Sequence, residues 1–352
     1  MTTSIAKPAV RHPGLPVNDL GLTRRDYEGS MSTLCAGCGH DSITAAIIRA
    51  FWELNIAPHR VAKLSGIGCS SKTPTYFLRE AHGFNAVHGR MPSIATGAYA
   101  ANRDLIYIGV SGDGDSLSIG LGQFCHAIRR NVDIVYVLEN NGVYGLTKGQ
   151  FSASADVGSK PKRGEPNRTA PIDPVLTALT LGCSFVARGF SGDKEQLVPI
   201  LKAGFAHNGF AFIDVISPCV TFNDHEGSTK SYAWTREHAH EVVHADFIPL
   251  RGEITVDYEA GDAIPVTMHD GSVIHLRKTA EDYDPTDRDA VYAYVRDRQE
   301  AGEVATGLLY VSEDSPDMLE IDDVVQTPLV ELPYADLVPG KAALEKIMDR
   351  LR

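Results

Sequence analysis

Two glycine-rich segments, each directly after an apolar stretch, constrain this chain more than any other feature of its sequence. The first reads GDGD at residues 112–115 and follows the stretch 105–110. The second reads NNGVYG at residues 140–145 and follows the stretch 134–138. Both stretches are rich in β-branched residues, and residues 117–130 between them have the apolar spacing of a helix. The pattern predicts a strand–helix–strand crossover whose two parallel strands end at the same edge of a sheet.

The side chains at this edge suit a bound divalent cation. Asp113 offers a carboxylate and Asn141 an amide oxygen, both hard ligands of the kind that Mg²⁺ prefers. Open α/β sheets bind ligands at the carboxyl ends of their strands, and glycines let the backbone approach a phosphate closely. GDG followed by NN after this gap resembles the signature of thiamine diphosphate enzymes, although both sequences also occur in ordinary turns. The resemblance implies that Asp113, Asn141 and the backbone carbonyl of Val143 hold magnesium.

The bulk properties exclude several functional classes. The net charge of −12 argues against non-specific nucleic-acid binding, because phosphate contacts need a basic face. No apolar stretch reaches the roughly 18–20 residues that span a bilayer. Residues 1–16 also lack the apolar core of a signal peptide. We therefore expect a cytoplasmic protein that binds neither nucleic acid nor a membrane.

Three segments follow from the distribution of motifs and composition. Residues 1–30 form a Pro- and Gly-rich N-terminal arm, residues 31–225 an α/β domain, and residues 226–352 a C-terminal extension in which the α/β rhythm stops. The expected fold class is α/β, a parallel-sheet thiamine diphosphate-binding domain of the diphosphate type with a C-terminal accessory arm for subunit contacts. In the extension we expect helices at 235–243, 287–300 and 341–351, a strand at 307–311, and a hairpin at 264–276 around Asp270-Gly271.

Six cysteines without a secretion signal indicate metal binding or free thiols rather than disulfides. Cys35 and Cys38 form a CxxC, and Cys69 and Cys219 each follow a predicted strand, so all four can converge on one edge of the sheet. Four thiolates from separate loops suit a [4Fe–4S] cluster. A CxxC also fits a zinc half-site or a redox pair, and spacing alone leaves these alternatives open. Cys125 and Cys183 have the contexts of small buried hydrophobic residues.

Six motifs in order carry a closer resemblance: CAGCGH, GIGCSSKTP, HGRMPSIATG, SGDGDSLSIG, ENNGVYGLTKGQ and SPC. Over about residues 30–225 the chain resembles the β subunits of 2-oxoacid:ferredoxin oxidoreductases, and most of all the 2-oxoglutarate branch. The resemblance implies that the cysteines at 35, 38, 69 and 219 ligate a [4Fe–4S] cluster beside thiamine diphosphate.

Further residues are candidates for contacts with the cofactor and the substrate. Lys72 is a candidate partner for a distal substrate carboxylate, with a solvated surface lysine as the alternative, and Arg90 is a candidate for substrate or phosphate. His40 and His88 are candidate donors to the diphosphate, with a structural role as the alternative. Asp115 is expected to cap the helix that begins near residue 116. The predicted thiamine diphosphate contacts are His40, Ile67, Gly68, His88, Gly112, Gly114, Asp115, Leu146 and Thr147.

The reaction implied by the resemblance is the CoA-acylating oxidative decarboxylation of 2-oxoglutarate to succinyl-CoA and CO₂, or its reverse, with electrons passing through the cluster to ferredoxin. The glutamate that activates thiamine lies in a pyrimidine-binding domain of roughly 150 residues, and the extension lacks its repeated βαβ pattern. We therefore expect no activating catalytic residue here, and a separate α subunit in an αβ or α₂β₂ assembly. The alternatives are pyruvate or a branched-chain 2-oxoacid as substrate, a cluster-free thiamine diphosphate decarboxylase, or a zinc-dependent interaction module.

Overall fold

The computed structural model describes residues 12–160, 165–243 and 283–351, and the backbone of two strands between residues 263 and 277. The strands alternate with helices along most of the chain, as expected for an α/β protein. The strands are β1 (Val61–Ser65), β2 (His82–Asn85), β3 (Ile106–Gly112), β4 (Ile134–Asn140), β5 (Val143–Tyr144), β6 (Gln150–Phe151), β7 (Phe185–Phe190), β8 (Phe210–Ile216), β9 (Ala239–Val243), β10 (Ala263–Thr267), β11 (Val273–Arg277) and β12 (Val304–Val311).

The main sheet has eight strands and is mostly parallel, which confirms the predicted α/β class. Its order is β2-β1-β3-β4-β8-β7-β12-β9, and the first six of these strands are mutually parallel. β12 pairs antiparallel with β7 and parallel with β9. The order places β1, β3, β4 and β8 side by side, so the loops that follow these four strands meet at one edge.

Helices cover both faces of the sheet, and each face has its own apolar core. The alternation of side chains along β4 divides that strand between them, because Tyr136 faces one core and Val137 the other. None of the described helices has the length and hydrophobicity that a bilayer crossing requires. The helices are α1 (Gly39–Glu53), α2 (Thr73–Tyr76), α3 (Met91–Ala101), α4 (Leu121–Arg129), α5 (Pro174–Thr180), α6 (Lys194–Ala206), α7 (Tyr232–His238), α8 (Arg288–Glu300), α9 (Met318–Ile321), α10 (Tyr334–Leu337) and α11 (Gly340–Arg350).

Three local expectations are wrong. Asp41-Ser42 is a sequence typical of a helix N-cap and predicts a helix over residues 43–54, but α1 begins at Gly39 with Cys38 as its N-cap, so both residues lie inside the helix. The helix expected at 117–130 is divided into a π-helical turn, Gly114–Ile119, and α4. The helix expected at 235–243 ends halfway, because its second part pairs with β12 as β9. That pairing joins Ala239 with Val304, far along the chain, and tertiary contacts of this kind override local secondary-structure propensity.

The C-terminal extension contributes to the main sheet. The strand expected at 307–311 is present as β12, and Val291, Val295 and Leu309 belong to the same core as Phe124 of α4. Strands β10 and β11 form the expected antiparallel hairpin, while its turn at Asp270-Gly271 lies outside the described residues. Residues 1–11 of the expected N-terminal arm also lie outside them. The segment boundaries at residues 30 and 225 stay a prediction.

Candidate active site

A cavity of about 120 Å³ lies at the carboxyl edge of the sheet, where β1, β3 and β4 end. Its lining includes Cys69 and Glu139. It also includes all the predicted contacts for thiamine diphosphate and magnesium, so the structure gathers residues between positions 40 and 147 around one space. These are His40, Ile67, Gly68, His88, Gly112, Asp113, Gly114, Asp115, Asn141, Val143, Leu146 and Thr147.

The Asp113 carboxylate is buried and held by donors from the loop after β4. Its Oδ2 accepts hydrogen bonds from the Gly142 N–H at 3.0 Å, from Ser154 Oγ at 2.5 Å, and from the Ser152 hydroxyl. Bonds from three positions on one oxygen fix the orientation of the carboxylate. Its other oxygen, Oδ1, has none of these bonds and suits a cation in the cavity.

The Asn141 loop has a conformation that requires glycine. Gly142 has a φ of +71°, and a side chain there would come within 2.7 Å of Asn223 Nδ2. Asn223 donates to the Asn141 carbonyl at 2.8 Å, and the Val143 N–H donates to Asn141 Oδ1 at 3.0 Å. The amide oxygen of Asn141 is therefore held at the cavity wall, and the oxygen donors fit a magnesium ion.

Asp115 does not cap a helix, so that expectation is wrong. Its carboxylate accepts hydrogen bonds from His88, from the Gly89 N–H at 2.7 Å and from the Ser111 hydroxyl at 2.6 Å. The carboxylate faces the β1 loop, where a Cβ on Gly66 would lie only 1.7 Å from Asp115 Oδ2. Asp115 therefore orients His88 toward the cavity, because the bonded Nδ1 leaves the opposite ring edge free to point inward.

The four predicted cluster cysteines lie together beside this cavity. A Cβ on Gly145 would come within 3.4 Å of Cys69 Sγ and 3.5 Å of Cys219 Sγ, so the two sulfurs face the same glycine. Cys35 and Cys38 belong to the loop before α1. In addition to burial, the nearby Cys35 raises the pKa of Cys219, and Cys219 raises the pKa of Cys38. Glycine at position 145 leaves space between sulfurs that a side chain would fill.

Hydrogen bonds connect the CxxC loop to the loop of Cys219. The Gly39 N–H donates to the Pro218 carbonyl at 3.3 Å, and the Thr221 hydroxyl lies 3.5 Å from Cys35 Sγ. Burial raises the pKa of Cys38 to about 12 and, with the neighbouring thiols, that of Cys69 to about 11. Both groups are thiols at neutral pH unless a cation stabilises the thiolate, which is the effect of an iron–sulfur cluster.

No group of three or more His, Cys, Asp or Glu residues in the described ranges lies close enough to hold a single metal ion. The magnesium and iron–sulfur assignments remain predictions. Cys183 is fully buried, as expected, whereas Cys125 on α4 is only half-buried.

Sequence reasoning missed Glu139, which is fully buried in the cavity wall at the end of β4. The Thr73 hydroxyl lies 3.0 Å from both of its carboxylate oxygens, and His40 Nδ1 lies 3.4 Å from Glu139 Oε2. Burial lowers the pKa of His40 to about 4 and raises that of Glu139 well above its usual value, so this contact joins two neutral groups. A single charged residue in the otherwise apolar sequence IVYVLEN was the available signal.

The two predicted substrate residues do not line the cavity. Lys72 follows Cys69 in a short helical turn and donates to Thr33 Oγ1 at 3.4 Å. Arg90 is exposed at the start of α3 and donates to the neighbouring Gly89 carbonyl at 3.2 Å. Their substrate roles stay predictions.

Comparisons with known proteins agree with this arrangement. Residues 66–215 match the family described as thiamine pyrophosphate enzyme, C-terminal TPP binding domain. The chain has the fold of a 2-oxoglutarate:ferredoxin oxidoreductase structure from Magnetococcus marinus with 2-oxoglutarate, coenzyme A and succinyl-CoA bound. The TM-score is 0.69 at 29% identity, over 94% of this chain and 91% of the other. Fold and site thus define a thiamine diphosphate-binding domain.

Similarity to curated proteins identifies the family within the thiamine diphosphate-binding domains. A 2-oxoacid:ferredoxin oxidoreductase subunit beta from a Sulfolobus species is 45% identical over 54% of this chain, which spans 63% of that protein's length. A 2-oxoglutarate synthase subunit KorB from Methanocaldococcus jannaschii is 37% identical over 53% of this chain and 69% of its own length. A 2-oxoglutarate oxidoreductase subunit KorB from Mycobacterium tuberculosis is 38% identical over 64% of this chain and 59% of its own. The chain belongs to the family of 2-oxoacid:ferredoxin oxidoreductase β subunits.

Proposed function

We propose that this chain is the β subunit of an enzyme that oxidatively decarboxylates 2-oxoglutarate to succinyl-CoA and CO₂, or runs the reverse reaction, with ferredoxin as electron acceptor or donor. The observation that carries the proposal is that Cys69 lines the same cavity as Asp113 and Asn141. A sulfur ligand therefore borders the diphosphate site itself, as removal of electrons from a bound substrate would need. A cluster-free decarboxylase has no use for four thiols at this edge.

Within the cavity, this chain's own residues position the cofactor. Asp113, Asn141 and the Val143 carbonyl hold Mg²⁺ against the diphosphate. His88, oriented by Asp115, donates through Nε2 to a phosphate oxygen when both of its ring nitrogens carry protons, and Gly112 and Gly114 allow the phosphate to approach the backbone. When bound, thiamine diphosphate supplies the nucleophilic carbon for the 2-oxo group, and the cluster supplies an exit for single electrons.

The cysteines at 35, 38, 69 and 219 are the proposed ligands of a [4Fe–4S] cluster. They come from three loops at the edge that carries the cavity, and hydrogen bonds between the first and last loops hold them together. Ligation as thiolates would overcome the burial that raises the pKa values of Cys38 and Cys69.

The rim of the cavity fits a partner subunit. Leu146 lines the cavity and is 50% exposed, and Val87, next to the cavity residue His88, is 76% exposed. Apolar side chains exposed at the mouth of a cavity suit a contact with another protein. An α subunit carrying the pyrimidine-binding domain and the activating glutamate would cover this rim in an αβ or α₂β₂ assembly. Lys72 and Arg90 flank the same edge and are the proposed contacts for the distal carboxylate of 2-oxoglutarate. The cytoplasmic location stays a prediction.

A cysteine series in the purified αβ complex tests the proposal. Replacing Cys35, Cys38, Cys69 or Cys219 with Ser should bleach the broad visible absorption and lower 2-oxoglutarate- and CoA-dependent ferredoxin reduction by at least about 100-fold, because the cluster loses a ligand. Cys125→Ser is the matched control and should leave both unchanged.

A colourless wild-type complex, or equal activity in all five variants, would contradict the cluster assignment. Faster turnover of pyruvate or a branched-chain 2-oxoacid than of 2-oxoglutarate would contradict the substrate assignment alone.

A further inference from the structure

Four buried polar side chains lie between the cavity and the cysteines, and we name His40, Thr73, Glu139 and Ser217 the polar brace. All four are essentially inaccessible to solvent. Thr73 donates to both Glu139 oxygens at 3.0 Å, His40 Nδ1 lies 2.6 Å from Ser217 Oγ, and the same nitrogen lies 3.4 Å from Glu139 Oε2. Two hydrogen-bonded pairs, Thr73 with Glu139 and His40 with Ser217, are joined by the contact between His40 and Glu139.

Each member of the polar brace belongs to a different functional loop. His40 follows Cys38 by two residues, Thr73 follows Cys69 by four, and Ser217 precedes Cys219 by two. Glu139 precedes the proposed magnesium ligand Asn141 by two residues. The brace therefore connects all three cysteine loops to the loop of the proposed magnesium site.

The polar brace lies next to both the cavity and the cysteine loops. His40 and Glu139 line the cavity directly, so a molecule that fills the cavity contacts them. On the opposite side, His40, Thr73 and Ser217 lie on the loops that carry Cys38, Cys69 and Cys219. A buried hydrogen-bonded network responds as a unit when one member moves, because no member has water as an alternative partner.

We propose that Glu139 is a positioning residue through which occupancy of the cofactor cavity changes the environment of the cysteine sulfurs. The inference rests on the proposed function, since it requires a cluster on these cysteines. Binding of the magnesium–thiamine diphosphate complex presses on His40 and Glu139, and Thr73 and Ser217 transmit the displacement to the loops of Cys69 and Cys219. The cluster would thus report whether the reaction site is loaded.

The test compares the reduction midpoint potential and the electron paramagnetic resonance spectrum of the cluster before and after Mg²⁺ and thiamine diphosphate are added to the cofactor-depleted αβ complex. In the wild type, the addition should shift both. In Glu139→Leu, similar in size but without acceptors, the shift should fall below half of the wild-type value while the iron content stays the same. Glu139→Gln keeps an acceptor for Thr73 and should retain most of the shift.

Two controls separate the brace from a general loss of structure. Asp317→Asn alters another buried carboxylate, which bonds Tyr99 far from the cysteines, and should leave the shift unchanged. Calorimetric titration with thiamine diphosphate confirms that each variant is loaded. If Glu139→Leu does not fold, Thr73→Val removes the same hydrogen bonds and should also reduce the shift.

A wild-type shift that persists in full in Glu139→Leu or Thr73→Val would overturn the inference, and so would a loaded wild-type complex that shows no shift. A wild-type complex without iron, or one that binds no thiamine diphosphate, would instead refute the proposed function.

Discussion

Asp113 has two oxygens with different tasks. Oδ2 is saturated by donors from Gly142, Ser152 and Ser154, which leaves Oδ1 to face the cavity. The three donors could also donate to the carbonyl oxygen of an asparagine at this position. A change to Asn therefore removes the negative charge and keeps the local structure, which separates metal binding from folding.

Asp113→Asn should weaken binding of thiamine diphosphate in the presence of Mg²⁺ by roughly 100-fold, since loss of a charged contact costs about 2–3 kcal/mol. Isothermal titration of the αβ complex measures this. The visible absorption of the cluster should stay unchanged, because no sulfur ligand is altered. Asp104→Asn, before the opposite end of β3, is the control and should bind normally. Equal affinities in both variants would exclude Asp113 as a magnesium ligand.

Sequence reasoning succeeds at this scale where a residue type has one dominant chemistry. Asp113, Asn141, Cys69 and Cys219 could be placed at this edge of the sheet because each follows an apolar strand and carries a ligand atom, whereas Cys35 and Cys38 were singled out by their CxxC spacing. Glu139 and the serines at 152 and 154 were missed, because their roles depend on which distant side chain they meet. Asp115 was placed at a helix terminus for the same reason, whereas its partners are His88, 27 residues earlier in the chain, and Ser111 at the end of β3.

Individual elements differ in how firmly they are attached to the core. Helix α11 has no buried residue, and its apolar side chains Leu344, Ile347 and Met348 are about half exposed along one face. Its formation is favoured by local spacing alone. Helix α8 has a similar length, yet Val291 and Val295 on it are completely buried against the sheet.

Ending the chain at Pro339 should leave the free energy of unfolding within about 0.5 kcal/mol of the full-length value, because no side chain of the deleted helix is buried in the core. Thermal unfolding followed by circular dichroism should give a midpoint within about 2 °C. A fall of more than about 5 °C would show that α11 stabilises the fold through contacts with the rest of the chain.

Elements with strong apolar periodicity were predictable, and those made by pairing were not. Strands β3 and β4 occupy nearly the stretches 105–110 and 134–138 that were expected to form strands. Strand β2 was missed because His82–Asn85 contains a glycine and is exposed along its whole length, so only its pairing with β1 defines it. Strand β9 was assigned to a helix because its partner β12 lies far along the chain.

The main sheet and one of its two cores include residues from the C-terminal extension. Strand β12 covers the edge of β7, and residues of α8 and β12 share a core with α4 and the central strands. Sequence patterns predicted a strand at 307–311 but not its place in the main sheet, because strand order is set by long-range packing.

A chain that ends at residue 282 should lose cooperative thermal unfolding and the ability to bind thiamine diphosphate, since it exposes the β7 edge and opens the core. Circular dichroism melting and titration calorimetry measure the two effects. The chain ending at Pro339 serves as the control. A cooperative transition near the full-length midpoint would mean that residues 1–282 fold without the segment that follows them.

The order β1-β3-β4-β8 has one more consequence. Neighbouring strands are about 4.8 Å apart, so loops that leave four adjacent strands are confined to a width of roughly 15 Å. In the function that we propose, the proximity of the cluster and the reacting carbon is thus inherited from backbone architecture, and no surface substitution would pull them apart. Selectivity among oxoacids would then be free to change at the contacts with a partner subunit while the short electron route is preserved.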